Sequence, residues 1–154
     1  MADCSYSNDL VLALLRARVI APAWGADELR PEHLLLGLFP DDDWLGDDGY
    51  SLQVLLGLPS SFPERLKAGL LNSFPPAAPK PIVHGDLPLD TRATALIEQT
   101  SAFAKERGDP EAGPLHLIKA LIEQNEFCRA LEAAGLTKAA VERALLLRRV
   151  QRGD

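Results

Sequence analysis

The sequence predicts an all-α fold made by internal duplication, and three observations carry that prediction. The stretch Pro31-Glu32-His33-Leu34-Leu35-Leu36-Gly37-Leu38 returns, worn, as Pro114-Leu115-His116-Leu117-Ile118-Lys119-Ala120-Leu121, 83 residues further on. At the same offset Ser7 matches Asp90, Ala21 matches Ala104, Gly25 matches Gly108 and Glu28 matches Glu111. Past the motif the offset falls to 78, where Gly57-Leu58 matches Gly135-Leu136 and Glu64-Arg65 matches Glu142-Arg143, so one loop changed length in a duplicated unit. Apolar residues recur at helical spacing, and no segment shows the two-residue alternation of a half-buried strand.

The first helix is expected from about Asn8 to Pro22, capped by Ser7 or Asn8, with Leu10, Leu14, Ala17 and Ala21 inward. A turn at Gly25 leads to a second helix opening at Pro31, where a missing N–H costs nothing. That helix is apolar nearly all round, which predicts a buried central element ended by Pro40. An acidic loop, 41–50, accounts for the extra length of the first repeat. A short helix, Ser51 to Leu56, is closed by Gly57, and another starts near Ser60 or Ser61 with Leu66, Leu70 and Leu71. Five of the twelve prolines fall between Ser73 and Pro88, which predicts an extended connector.

The plan then restarts. Asp90 caps a helix from Thr91 to about Arg107, with Ala93, Leu96, Ile97, Thr100 and Phe103 on its inner stripe, and Gly108 ends it. Pro114 opens the second central helix, through Ile122. Glu126 to Ala134 forms a short helix closed by Gly135, and Thr137 caps a last one through Val141, Leu145 and Val150. The expected organisation is one domain over 1–154, with repeats at 6–72 and 89–152 and a linker at 73–88.

At 154 residues, 47% hydrophobic and 25% charged, the chain can bury a core of its own. A net charge of −6 argues against nonspecific binding to nucleic acid or anionic membranes. No apolar run approaches the roughly 20 residues of a membrane span, and no signal peptide is visible. Cys4 and Cys128 form no spacing motif and are expected as free thiols in a reducing cytoplasm.

His33 and His116 invite a catalytic reading. Each sits two residues past a proline at a helix start, without a partner histidine at zinc-binding spacing, and His84 lies alone in the connector. Their equivalent positions argue instead for packed imidazoles tying loop to helix, because catalysis needs a second polar group in the same cleft and the sequence points to none. Glu32 complements a helix dipole, or receives a cationic group from a peptide; Leu115 stands at the equivalent position, so such a site is one-sided. The acidic loop fails as a calcium loop, since Leu45 and Leu52 fall at ligand positions. Trp44 and Tyr50 within it are candidate partner contacts. Arg143, Arg148, Arg149 and Arg152 suit a helix C-terminus, and neither a phosphate-binding glycine loop nor an activated nucleophile is present. No metal site and no cofactor are expected.

The eight-residue motif resembles the Thr-Glu-His-Leu-Leu-Leu-Gly-Leu signature of the Clp repeat, which builds the N-terminal domain of Clp/Hsp100 unfoldases. Leu89-Asp90-Thr91-Arg92-Ala93 is similar to that family's Phe-Thr-Pro-Arg-Ala, and Ala130-Leu131-Glu132-Ala133-Ala134-Gly135-Leu136 to its closing turn. The resemblance implies eight helices in two pseudo-twofold-related four-helix repeats, without enzymatic activity. It also implies partners: protein substrates or adaptors of the Clp system, a Clp ATPase, and in some members phosphoarginine or cyclic peptides. Pro31, His33, Gly37, Pro114 and His116 carry the structural motif. The family's Thr is Pro31 and Pro114 here, Leu115 replaces one guanidinium-binding Glu, and Asp90 replaces a Thr and would repel phosphate. What survives is a first-repeat half-site of Glu32 with Ser7 and Asn8. Since no ATPase module follows within the sequence, the expectation is a free-standing adaptor or decoy. The alternatives are a structural subunit of a secretion-type assembly, or an enzyme using His33 or His116.

Overall fold

The computed structural model describes residues 5–39, 56–78 and 88–151, and side chains of the last helix up to residue 147. The described residues form seven helices: α1 (Asn8–Ala23), α2 (Pro31–Leu38), α3 (Phe62–Ser73), α4 (Thr91–Glu106), α5 (Pro114–Ile122), α6 (Asn125–Ala134) and α7 (Lys138–Gln151). Two-residue strands β1 (Ser5–Tyr6) and β2 (Glu111–Ala112) pair in parallel. The fold is all-α. The acidic loop with Trp44 and Tyr50, the short helix before Leu56 and His84 lie outside the described residues.

The helix starts follow local chemistry. Ser7 Oγ accepts from the Leu10 N–H at 3.2 Å, and Asp90 Oδ1 accepts from the Ala93 N–H at 2.7 Å, so the two matched residues cap matched helices. Gly135, at φ +119°, closes α6 in the left-handed conformation that a side chain would disfavour. The central helices are buried along almost their whole length: every residue of α2 is, and all of α5 except Lys119. α2 packs on α1 at Gly37, where a methyl group would collide with the Ala13 carbonyl, and the buried Arg16 Nε donates to the Gly37 carbonyl at 2.8 Å. Phe62, Leu66, Leu70, Phe127 and Leu131 extend one core from α3 to α6.

The two repeats interlock by a reciprocal exchange that the two-residue strands reveal. Tyr6, before α1, pairs with Ala112 in the second repeat, and Leu89, before α4, pairs with Leu29 in the first. At the 83-residue offset Tyr6 corresponds to Leu89 and Leu29 to Ala112, so these are one contact made twice. The hydrogen bonds repeat as well: the Ser7 N–H donates to the Ala112 carbonyl and the Asp90 N–H to the Leu29 carbonyl, each at 2.9 Å. Each repeat's first helix therefore starts against the other repeat's loop. A two-residue bridge is too short to leave the alternation by which strands are recognised, which is why the sequence predicted none.

Candidate binding site

The reciprocal exchange places two cavities at equivalent positions and gives them different chemistry. In both, a histidine at the third helical residue holds the helix start: the Arg30 N–H donates to His33 Nδ1 at 3.0 Å, and the Gly113 N–H to His116 Nδ1 at 2.9 Å. With Nδ1 accepting, the proton of each neutral ring sits on Nε2. From there the two sites diverge.

In the first repeat a cavity of about 360 Å³ is lined by Glu32, His33, Arg30 and the turn Trp24-Gly25-Ala26 on one side, and by 73–77 on the other. The two walls are joined. The Ala77 N–H donates to the Trp24 carbonyl at 2.9 Å, and a Cβ on Gly25, at φ +80°, would lie 2.6 Å from Ala77 Cβ and the Ala78 carbonyl oxygen. His33 meets Trp24 edge to face at 6.1 Å. Burial, reinforced by the Arg30 charge, lowers the His33 pKa to about 4, so the ring is neutral at physiological pH. Glu32 is 6% exposed and makes no hydrogen bond or ion pair with another described side chain. Its pKa is raised, chiefly by burial, against the lowering effects of its own backbone N–H and of Arg30. Asp90 raises it further and Arg92 lowers it, because the exchange brings the start of α4 beside Glu32.

In the second repeat a cavity of about 210 Å³ is lined by Ser7, Asp109, Pro110, Glu111, Gly113, His116 and Leu145. Here His116 Nε2 donates to Asp109 Oδ2 at 2.7 Å, with Arg107 Nε 3.7 Å from the same oxygen. At the 83-residue offset Asp109 corresponds to Ala26, Gly113 to Arg30 and Leu115 to Glu32. The sequence reading missed Asp109; comparing the repeats position by position would have found it, as a carboxylate where the first repeat has a methyl group. It supplies the second polar group expected to be absent beside a histidine. It also occupies the nitrogen that a general base would need: one ring nitrogen of His116 holds the Gly113 N–H and the other holds Asp109.

The half-site expected of Glu32 with Ser7 and Asn8 is not assembled. Ser7 lines the second cavity and Glu32 the first, because each first helix begins on the opposite repeat. Asn8 is exposed and lines neither. Trp24, Arg30 and the connector wall, none singled out in the sequence, surround Glu32 instead. Pro31 and Pro114 are the buried first residues of α2 and α5. Among the described residues no group of three or more His, Cys, Asp or Glu side chains could hold a metal ion, and no helix is long and apolar enough to cross a membrane. Cys128 is a free, half-buried thiol.

Residues 89–153 match the family described as Clp repeat (R) N-terminal domain. That match spans the second repeat. The whole chain shares the fold of solved Clp N-terminal domains. The N-terminal domain of the Clp protease-associated chaperone ClpD from Arabidopsis thaliana is 18% identical, with a TM-score of 0.69, covering 93% of this chain and 96% of that one. The N-terminal domain of the ClpV1 ATPase from E. coli EAEC, of the Sci1 T6SS, is 23% identical, with a TM-score of 0.61, covering 92% and 84%. A structure from a malarial protein secretion system is 20% identical, with a TM-score of 0.74 and 94% of each chain covered. No curated protein sequence matches the chain.

Proposed function

We propose that this Clp N-type domain is a non-catalytic peptide-binding module, recruiting partner proteins through the Glu32 cavity. One observation carries the reading: a carboxylate 6% exposed, without a described side-chain partner, faces a cavity of about 360 Å³. That volume lies in the range of small-ligand pockets. A buried carboxylate with no ion-pair partner among the described side chains is costly to keep, and a cationic group from a peptide would satisfy it. Substrates or adaptors of a Clp system, or the Clp ATPase itself, are the partner class, and adaptor or decoy is the role. Phosphoarginine suits the cavity less well, because Asp90 stands beside Glu32 where a phosphate would be repelled. The test is calorimetric titration of basic peptides into wild type and Glu32→Gln. The reading expects a loss of roughly tenfold or more in the variant, the scale of a hydrogen bond to a charged group. Equal affinity in both proteins, or no binding to wild type, overturns it.

A second reading, a structural subunit of a larger assembly, is favoured by a separate observation. Val11, Leu12 and Leu15 on α1 are 42%, 42% and 46% exposed, an apolar face that packing among the described residues does not use. Secretion systems figure among the structural relatives.

A further inference from the structure

We propose that the Glu32 cavity takes the C-terminal end of a partner chain whose last residue is arginine or lysine; this rests on the binding-module reading. The backbone around the cavity has few hydrogen-bond donors left to offer. On one wall the Phe74 N–H is given to Leu70, the Ala77 N–H to Trp24, and Pro75 and Pro76 have none. On the other, the N–H groups of Trp24, Gly25 and Ala26 are all donated back into the end of α1, and that of Arg30 is held by His33. A peptide running through the cavity as an added strand would find few main-chain donors along these walls, the Glu32 N–H being turned to its own carboxylate, so strand addition is disfavoured.

The charged handles that remain are two side chains of opposite sign. Glu32 is buried, while Arg30 is about half exposed, its Nε 3.9 Å from Glu28 Oε1, a loose ion pair. Arg30 repels a bare cation approaching Glu32, and welcomes one that carries its own anion. A C-terminal basic residue has that pairing, with a cation at the end of its side chain for Glu32 and an α-carboxylate for Arg30, whose planar guanidinium suits a carboxylate. An interior arginine brings the cation alone.

The experiment compares two acetylated Gly-Ala-Ala-Arg peptides, one with a free C-terminal carboxylate and one amidated, titrated by calorimetry into wild type, Arg30→Gln and Glu32→Gln. Wild type should prefer the free acid by about fivefold, the scale of a partly exposed ion pair. Arg30→Gln should bind acid and amide alike, and Glu32→Gln should lose both. Melting curves establish that the variants are folded; Arg30→Gln retains the backbone N–H that caps through His33. Equal binding of acid and amide by wild type, or a preference that survives Arg30→Gln, overturns the inference and leaves the binding module standing. If wild type binds neither peptide, both fall.

Discussion

Acid should destabilise this domain through His33 specifically, and replacing that residue by glutamine should remove the effect. His33 is 2% exposed and must be neutral to accept the Arg30 N–H on Nδ1. Burial, helped by Arg30, brings its pKa from 6.5 to about 4, so the unfolded chain binds a proton that the folded chain refuses. Between those values stability rises with pH. The contribution is complete above about pH 6.5 and gone below about pH 4. The shift of roughly 2.5 units corresponds to about 3 kcal/mol, of which about 2 to 3 kcal/mol is already lost at pH 4.5. Glutamine is the favoured residue at this third helical position because its carbonyl can accept the same N–H without titrating. Urea unfolding of wild type and His33→Gln at pH 7.5 and pH 4.5 isolates the site, since every other titrating group is common to both. The variant should lose about 2 to 3 kcal/mol less on acidification. An identical loss in both proteins would show that His33 does not hold the helix start as a neutral acceptor.

Other consequences follow from the same geometry. Gly37→Ala pushes a methyl group into the Ala13 carbonyl at the α1–α2 crossing and should cost about 1 to 3 kcal/mol in urea unfolding, as overpacking does. Glu32→Gln should raise the melting temperature at pH 7, because burial raises the pKa of that carboxylate and its ionisation opposes folding. The gain should shrink as pH falls and the wild-type carboxyl takes up its proton. Asp109→Ala leaves the buried Nε2–H of His116 without its acceptor and should cost about 1 to 3 kcal/mol.

The helices were legible because their signals are local. Proline at the first position of α2 and α5, Ser7 and Asp90 as caps, and Gly135 as a left-handed stop each act within a few residues of sequence. Small shifts at the ends have local causes: α6 begins at Asn125 rather than Glu126, and α4 stops at Glu106 with Arg107 as its cap. The inner stripe of α4 was read nearly correctly, although Ala104 is fully buried where Phe103 is only partly so, its ring lying 5.0 Å from the Lys119 ammonium. The site was harder because it is assembled across the repeat boundary. Glu32 was visible as an asymmetry with Leu115, yet its neighbours come from the turn at Trp24, the start of α4 and the connector. Duplication reveals which residues correspond, but not that each helix start is lodged against the other copy. That exchange separated Ser7 from Glu32 and gave His116 its aspartate.

The most direct test of the central claim is a two-dimensional NMR titration of the amide resonances with the Gly-Ala-Ala-Arg free acid. Saturable shifts concentrated at the amides of Trp24, Gly25, Ala26, Arg30, Glu32, His33, Phe74 and Ala77, and absent in Glu32→Gln, are the predicted result. Shifts confined to the exposed face of α1 at Val11, Leu12 and Leu15, or a map unchanged by Glu32→Gln, would contradict it.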